Sequence, residues 1–235
     1  MTSDERFRTP LYSVSEAARH LDVPVSTFRT WVHGYERRRE GRRPVRGEPI
    51  VTTLPRDAGV CVPFIGLAEA HALTAIRGVG VPLQRIRPAL DRLSEELGIE
   101  HVLASRSLYT DGAEVLYDFA ERSGNTPEAR SARELVVVRN NQRVFNEVVD
   151  SYLRRIDFAA DGWAQRIHLP KYGRADVVVD PRRSFGLPIF ARGAVRLETV
   201  LAAFKAGTDI KGLVAEYGVP RDDLLSVLRV HTEAA

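Results

Sequence analysis

Cysteine, methionine and lysine are nearly absent from this chain, with one Cys, one Met and three Lys in 235 residues. A single thiol excludes an intramolecular disulfide and any multi-cysteine zinc site. Cys61, between Val60 and Val62, is expected to be a small buried residue of a strand and not a reactive thiol. No apolar run is long enough to span a bilayer, and the N-terminal stretch MTSDERFRTP lacks the apolar region of a signal peptide. A cytoplasmic protein without a membrane attachment is therefore expected. Also missing are a Gly-rich phosphate loop, a nucleophile elbow and a paired-histidine metal motif. His71 and His101 stand singly, and the carboxylate pairs Glu95-Glu96 and Asp222-Asp223 fall on expected helix surfaces. This argues against an enzyme and against a bound cofactor. What is present is globular material, 44% hydrophobic, whose positive charge is carried by 31 Arg against 3 Lys.

The stretch Tyr12 to Trp31, YSVSEAARHLDVPVSTFRTW, reads as two short helices joined by a tight turn. Ser13 and Glu16 form a capping box, and Val14, Ala17, Ala18 and Leu21 recur at helical spacing behind it. Asp22 and Val23 make the turn, and Pro24 opens the second helix, where a missing N–H costs little. Val25, Phe28 and Val32 face a core, with Trp31 beside them. Ser26, Thr27, Arg29, Thr30 and His33 are left pointing outward, side chains able to meet phosphates and base edges. This is the pattern of a helix-turn-helix whose second helix enters the DNA major groove.

Arg37 to Gly47, RRREGRRPVRG, follows directly and holds Arg37, Arg38, Arg39, Arg42, Arg43 and Arg46 against one Glu. Residues 1–60 contain 11 Arg and 8 Asp plus Glu, a net of +3 that equals the charge of the whole chain. A basic segment beside a recognition helix is the electrostatic footprint of a phosphate-binding surface. Glu48 to Thr53 and Val60 to Ile65 read as two strands around a turn, the wing of a winged helix.

Further along, Gly66 to Gly80 and the segment from Val81-Pro82 to Gly98 read as helices. Ser107 to Thr110 and Ala113 to Phe119 flank Asp111-Gly112, a hairpin signal that places the end of a first domain at residue 122. Ser123 to Arg133 is polar and reads as a linker or exposed excursion. Strand candidates follow at 135–138, 166–169 and 176–180, and Val144 to Leu153 fits helix or strand. Residues 180–196 contain a Gly-Pro hairpin. Three helices then end the chain, the first two stopped by Gly207 and Gly218. The join Tyr217-Gly218-Val219-Pro220 resembles Leu21-Asp22-Val23-Pro24, so a second helix-turn-helix-like unit is expected. Its third helix offers Arg221, Asp222, Asp223, Ser226 and Arg229, and the adjacent carboxylates would repel DNA phosphates. The expected class is mainly α with small β elements (α+β), divided into residues 1–122, an intermediate 123–175 of uncertain fold, and a trihelical 176–235 with a β-hairpin.

Two blocks of residues resemble one family. Asp180-Pro181, Gly186, Pro188, Gly193, Arg196, Gly207 and Tyr217 match the pattern of a small domain of unknown function found in many bacterial antitoxins, although Ala194 and Val195 stand where that pattern has Thr and Arg. Phe64 to Glu69 and Gln84 to Leu93 are similar to the winged helix-turn-helix that precedes this domain in longer members. The resemblance implies a VapB-type antitoxin of a type II toxin–antitoxin pair. The implied partner is a PIN-domain ribonuclease that holds divalent metal on clustered carboxylates. Arg182, Arg183 or Arg192, on the C-terminal hairpin, would then neutralise that site. The chain is further expected to bind operator DNA and to form a homodimer on a palindrome. A stand-alone transcription regulator of the sensor type, with an effector pocket and no toxin, remains the alternative.

Overall fold

Residues 5–37, 45–56, 59–139 and 142–232 are described by the computed structural model. Helix α1 (Glu5–Arg8) leads to strand β1 (Tyr12–Ser13), and Ser13 caps α2 (Val14–His20). The Ser13 hydroxyl accepts the Glu16 N–H at 3.2 Å and the Glu16 carboxylate accepts the Ser13 N–H at 2.8 Å, completing the capping box. Asp22 turns the chain with left-handed backbone (φ 56°), and Pro24 stands at the N-cap position of α3 (Val25–His33) without a side-chain capping bond. Phe28, Trp31 and Val32 of α3 are buried with Ala17, Ala18, Leu21 and Val23, while Val25 is half-buried.

An antiparallel hairpin follows, β2 (Tyr35–Arg37) with β3 (Val45–Gly47), in which Glu36 lies opposite Arg46. The strand expected over 48–53 is displaced. Ile50 and Val51 donate their N–H groups to the Trp31 carbonyl at 2.9 and 3.2 Å, so this segment closes the end of α3. The hairpin forms later, from β4 (Leu54–Arg56) and β5 (Gly59–Val62). β5 also pairs with β1, giving the sheet order β1-β5-β4. Cys61 is a buried, free thiol in β5, as its apolar neighbours imply.

Helix α4 (Phe64–Gly78) is buried over most of its length and is the central helix of the molecule. α5 (Leu83–Leu97) stops at Gly98 in left-handed conformation. The expected Asp111-Gly112 hairpin is not formed. One helix, α6 (Arg106–Arg122), runs through both residues and buries Leu108, Ala113, Leu116 and Ala120 at helical intervals. A Cβ at Gly112 would lie 3.2 Å from the Phe145 ring, so this glycine serves close packing and not a turn. The polar 123–133 stretch is likewise no linker. Thr126 caps α7 (Pro127–Leu135), whose Ala129, Ser131, Ala132 and Leu135 are buried against α5 and α6.

The remaining segment contains both structures that 144–153 fitted: β6 (Val136–Arg139) pairs with β7 (Gln142–Phe145), and α8 (Glu147–Leu153) then packs on α4. β8 (Ile156–Phe158), β9 (Ala164–His168), β10 (Val177–Val179) and β11 (Ile189–Phe190) form an antiparallel sheet of order β11-β10-β9-β8. Residues 123–175 are thus shared, with α7 and α8 covering α4–α6 and β8–β9 joining β10–β11. The three C-terminal helices are α9 (Leu197–Lys205), α10 (Ile210–Tyr217) and α11 (Arg221–Thr232). Gly218 is left-handed (φ 64°), as Asp22 is, and Val219 and Val23 are both buried before a proline, so the two turns share one construction. Asp223 is buried and does not face outward with Asp222. The class is α+β, as expected.

The N-terminal segment is tied to the β8–β11 sheet and its loops. Arg6 is buried against β9, ion-paired with Asp161 and donating to the Ala164 carbonyl at 3.1 Å. The Tyr12 hydroxyl donates to the Gly186 carbonyl at 2.8 Å. One connected cluster of buried side chains extends from Tyr12 to Val227. No helix among the described residues is long and apolar enough to cross a membrane.

Candidate nucleic-acid interface and C-terminal loop

The capping box fixes where α2 begins, the left-handed Asp22 fixes its angle to α3, and the buried Phe28, Trp31 and Val32 fix the rotation of α3 about its axis. That rotation leaves Ser26, Arg29, Thr30 and His33 exposed and Thr27 half-exposed, the outward set expected from the sequence. Thr30 turns its hydroxyl back to the Thr27 carbonyl at 2.6 Å. Arg29 has no hydrogen bond or ion pair with any described residue, so its guanidinium is available to a phosphate or a base edge.

The arginine-rich segment lies between the paired strands β2 and β3. Arg37 is the last residue of β2, and Arg46 of β3 is exposed and ion-paired with Glu36 at 3.0 Å. Arg38, Arg39, Arg42 and Arg43 lie outside the described residues.

An open cleft of about 700 Å³ adjoins α3 on one side. Ser26, Thr27, Thr30 and Tyr35 form one wall, and Arg77, Gly80, Pro82 and Gln84, where α4 passes to α5, form the other. Arg77 and Gln84 are exposed and share this cleft with the outward residues of α3. Reading along the chain misses them, because they lie about fifty residues from α3 and only folding brings them to it.

At the C-terminal end, Asp180 has a fully buried carboxylate that Arg182 grips with both Nε (3.1 Å) and Nη2 (3.0 Å), and the Arg182 N–H adds a third bond at 3.0 Å. Burial alone would raise the Asp180 carboxyl. The hydrogen bonds from Arg182 and the charges of Arg182 and Arg166 outweigh it and hold the group below its ordinary range. Arg182 is therefore committed to the fold by a bidentate pair. Arg183 and Arg192 are exposed, the second in the turn that returns β11 toward Arg196.

A second, smaller cavity of about 160 Å³ lies at the seam between α2 and the C-terminal helices, lined by His20, Tyr172, Arg196 and His231 among others. Burial holds the His20 imidazole down to about 4 and pushes the Tyr172 phenol up to about 12. Both are neutral at physiological pH.

Residues 10–90 match a family model described as "Putative DNA-binding HTH domain", the segment from β1 to the first half of α5. Over 226 residues the chain is 49% identical to "Putative antitoxin VapB45" of Mycobacterium tuberculosis (strain ATCC 25618 / H37Rv), covering 95% of this chain and 94% of that protein. The crystal structure of Rv2018 from Mycobacterium tuberculosis superposes with a TM-score of 0.83 at 45% identity, covering 95% of this chain and 99% of the other. The helix-turn-helix and the C-terminal block are therefore parts of one shared architecture, and the chain belongs to the VapB antitoxin family.

Proposed function

We propose that the chain neutralises a PIN-domain ribonuclease toxin and binds the operator of its own operon. The observation that carries the DNA half is the α3 face, where a buried apolar side leaves Ser26, Arg29, Thr30 and His33 exposed, with the arginine-rich segment following in the sequence. In this reading residues 1–122 carry DNA binding and residues 176–235 carry toxin binding. Arg29, with Ser26, Thr27, Thr30 and His33, reads the major groove. Arg37, Arg38, Arg39, Arg42, Arg43 and Arg46 meet phosphates, and Arg77 and Gln84 extend that surface along the cleft. Two copies on a palindrome supply the affinity that one module lacks.

These roles separate in a salt titration. Replacing Arg42 and Arg43 with Ala should weaken binding to every sequence and reduce the salt slope by about 0.9 for each phosphate no longer neutralised. Arg29→Ala should instead change the preferred sequence, at about 1–3 kcal/mol for the base it reads. Anisotropy titrations over operator variants and several salt concentrations distinguish the two. Identical behaviour of Arg29 and the loop arginines would refute this division of labour.

The toxin half rests on membership of the antitoxin family and on the exposed cations Arg183 and Arg192. Arg182 contributes by ordering the loop, since its guanidinium is held by Asp180. Co-expression with the product of the neighbouring gene tests it, by co-purification and by rescue of growth from RNase toxicity. The cavity at the seam favours one second reading, a sensor-type regulator in which a small effector between α2 and the C-terminal helices adjusts DNA binding. No complex, no rescue and retained DNA binding would select that reading.

A further inference from the structure

Phe185 is 79% exposed, the most exposed large hydrophobic side chain among the described residues. Its backbone is left-handed (φ 55°, ψ 36°), and so is that of Ser184 before it (φ 50°). Two consecutive non-glycine residues in this region are disfavoured, an aromatic one especially. An exposed ring on a strained backbone gives the fold nothing, and strain of this kind persists where surrounding structure enforces it for another purpose.

The enforcement is visible on both sides. Before the ring, Arg182 is locked to buried Asp180, and the Arg183 N–H donates to the Asp180 carbonyl at 2.9 Å. After it, the Gly186 and Leu187 N–H groups return to the Arg183 and Ser184 carbonyls at 3.0 and 3.1 Å, and Tyr12 donates to the Gly186 carbonyl. Gly186 is itself left-handed (φ 73°), and a Cβ there would lie 2.4 Å from the Tyr12 hydroxyl oxygen. The loop is clamped to the sheet and to β1, and the ring projects from it with exposed Arg183 as its neighbour.

We propose that Phe185 is the anchor by which this chain docks on its toxin, entering an apolar pocket whose rim carries carboxylates that meet Arg183. This rests on the toxin-binding reading above. Charge complementarity with Arg183 favours an acidic partner surface over a cationic one, and a projecting aromatic ring is matched by a protein pocket and not by a phosphate backbone. A rigid aromatic presented in its bound geometry is the residue type and the preorganisation that interface hot spots use.

The test uses the full-length chain and the purified product of the neighbouring toxin gene. Phe185→Ala should weaken the complex about 30-fold or more in calorimetry, and Arg183→Glu about 10-fold or more, with melting temperature and DNA affinity unchanged. A Phe185→Ala chain that binds the toxin within about 3-fold of wild type overturns the anchor and leaves the toxin reading intact. Loss of self-association in Phe185→Ala, with toxin affinity kept, also overturns it and makes the ring a contact between copies of the chain. A wild-type chain that binds no toxin overturns both.

Discussion

At the scale of single residues, hydrogen bonds join the N-terminal segment to the β9 strand and to the loop after β10. Tyr12 is fully buried, and burial together with the negative Asp180 pushes its phenol well above the ordinary value, so the hydroxyl is always a donor. Its acceptor is the Gly186 carbonyl. Tyr12→Phe keeps the ring and strands that carbonyl, which should cost about 1–3 kcal/mol, read as a lower urea midpoint with an unchanged slope. An unchanged midpoint would mean that the carbonyl finds another donor. Phe28 is the corresponding case for packing. Its side chain is wholly buried on the core side of α3, and Phe28→Ala should cost about 3–5 kcal/mol and abolish the proposed DNA binding by freeing the rotation of α3, without touching any of the residues proposed to meet DNA. Retained operator affinity in a folded Phe28→Ala protein would show that α3 does not depend on this core.

At the scale of elements, what can be read from the sequence is what local chemistry decides. The α2–α3 pair is legible because Ser13 and Glu16 cap each other within four residues and Asp22 tolerates a left-handed turn. The last three helices are legible for a similar reason, since Gly207 and Gly218 take the positive φ that ends a helix. The middle is not legible, because its decisive contacts are remote. Asp111-Gly112 has the composition of a hairpin, yet Phe145 packs over Gly112 from another element and a helix results. Residues 127–135 are poor in large apolar side chains, and they fold as α7 because Ala129, Ser131 and Ala132 let it lie close against α5 and α6. The candidate site divides in the same way. The outward residues of α3 follow from helical periodicity, whereas Arg77, Gln84 and the strained Phe185 emerge only with the fold. Ser13→Ala tests the local side of this argument. It should cost about 1 kcal/mol, and Glu16→Gln, which keeps an acceptor for the Ser13 N–H, should cost less. A larger loss from Glu16→Gln would shift the weight from the cap to the Glu16 charge.

For the whole molecule, one connected core means that a division of function is not a division of folding. α7 and α8 cover α4, α5 and α6 from beyond residue 122, so a fragment ending there would expose those helices and should be unstable. The same core makes stability depend on pH through histidines in opposite senses. Burial pushes His71 down from 6.5 to about 4; its Nε2–H donates to the Tyr152 carbonyl at 2.9 Å, and the ring stays neutral in the fold. Once unfolded it takes a proton near 6.5, so its stabilising share is complete above that pH and is lost as pH falls toward 4. His20, depressed by burial to about the same value, adds to this loss. His101 acts in reverse. The Glu69 carboxylate accepts from it at 2.9 Å and raises its pKa, so its share is complete below 6.5 and is lost as pH rises through the folded value. Stability should therefore peak near neutrality and fall on the acid side by about 1.4 kcal/mol per pH unit for each depressed histidine. His71→Gln retains a donor for the Tyr152 carbonyl and removes the titration. Urea unfolding between about pH 7 and pH 5 should show a shallower loss for His71→Gln than for wild type. Parallel losses in the two proteins would mean that His71 is protonated in the folded state, contrary to its burial and to its carbonyl partner.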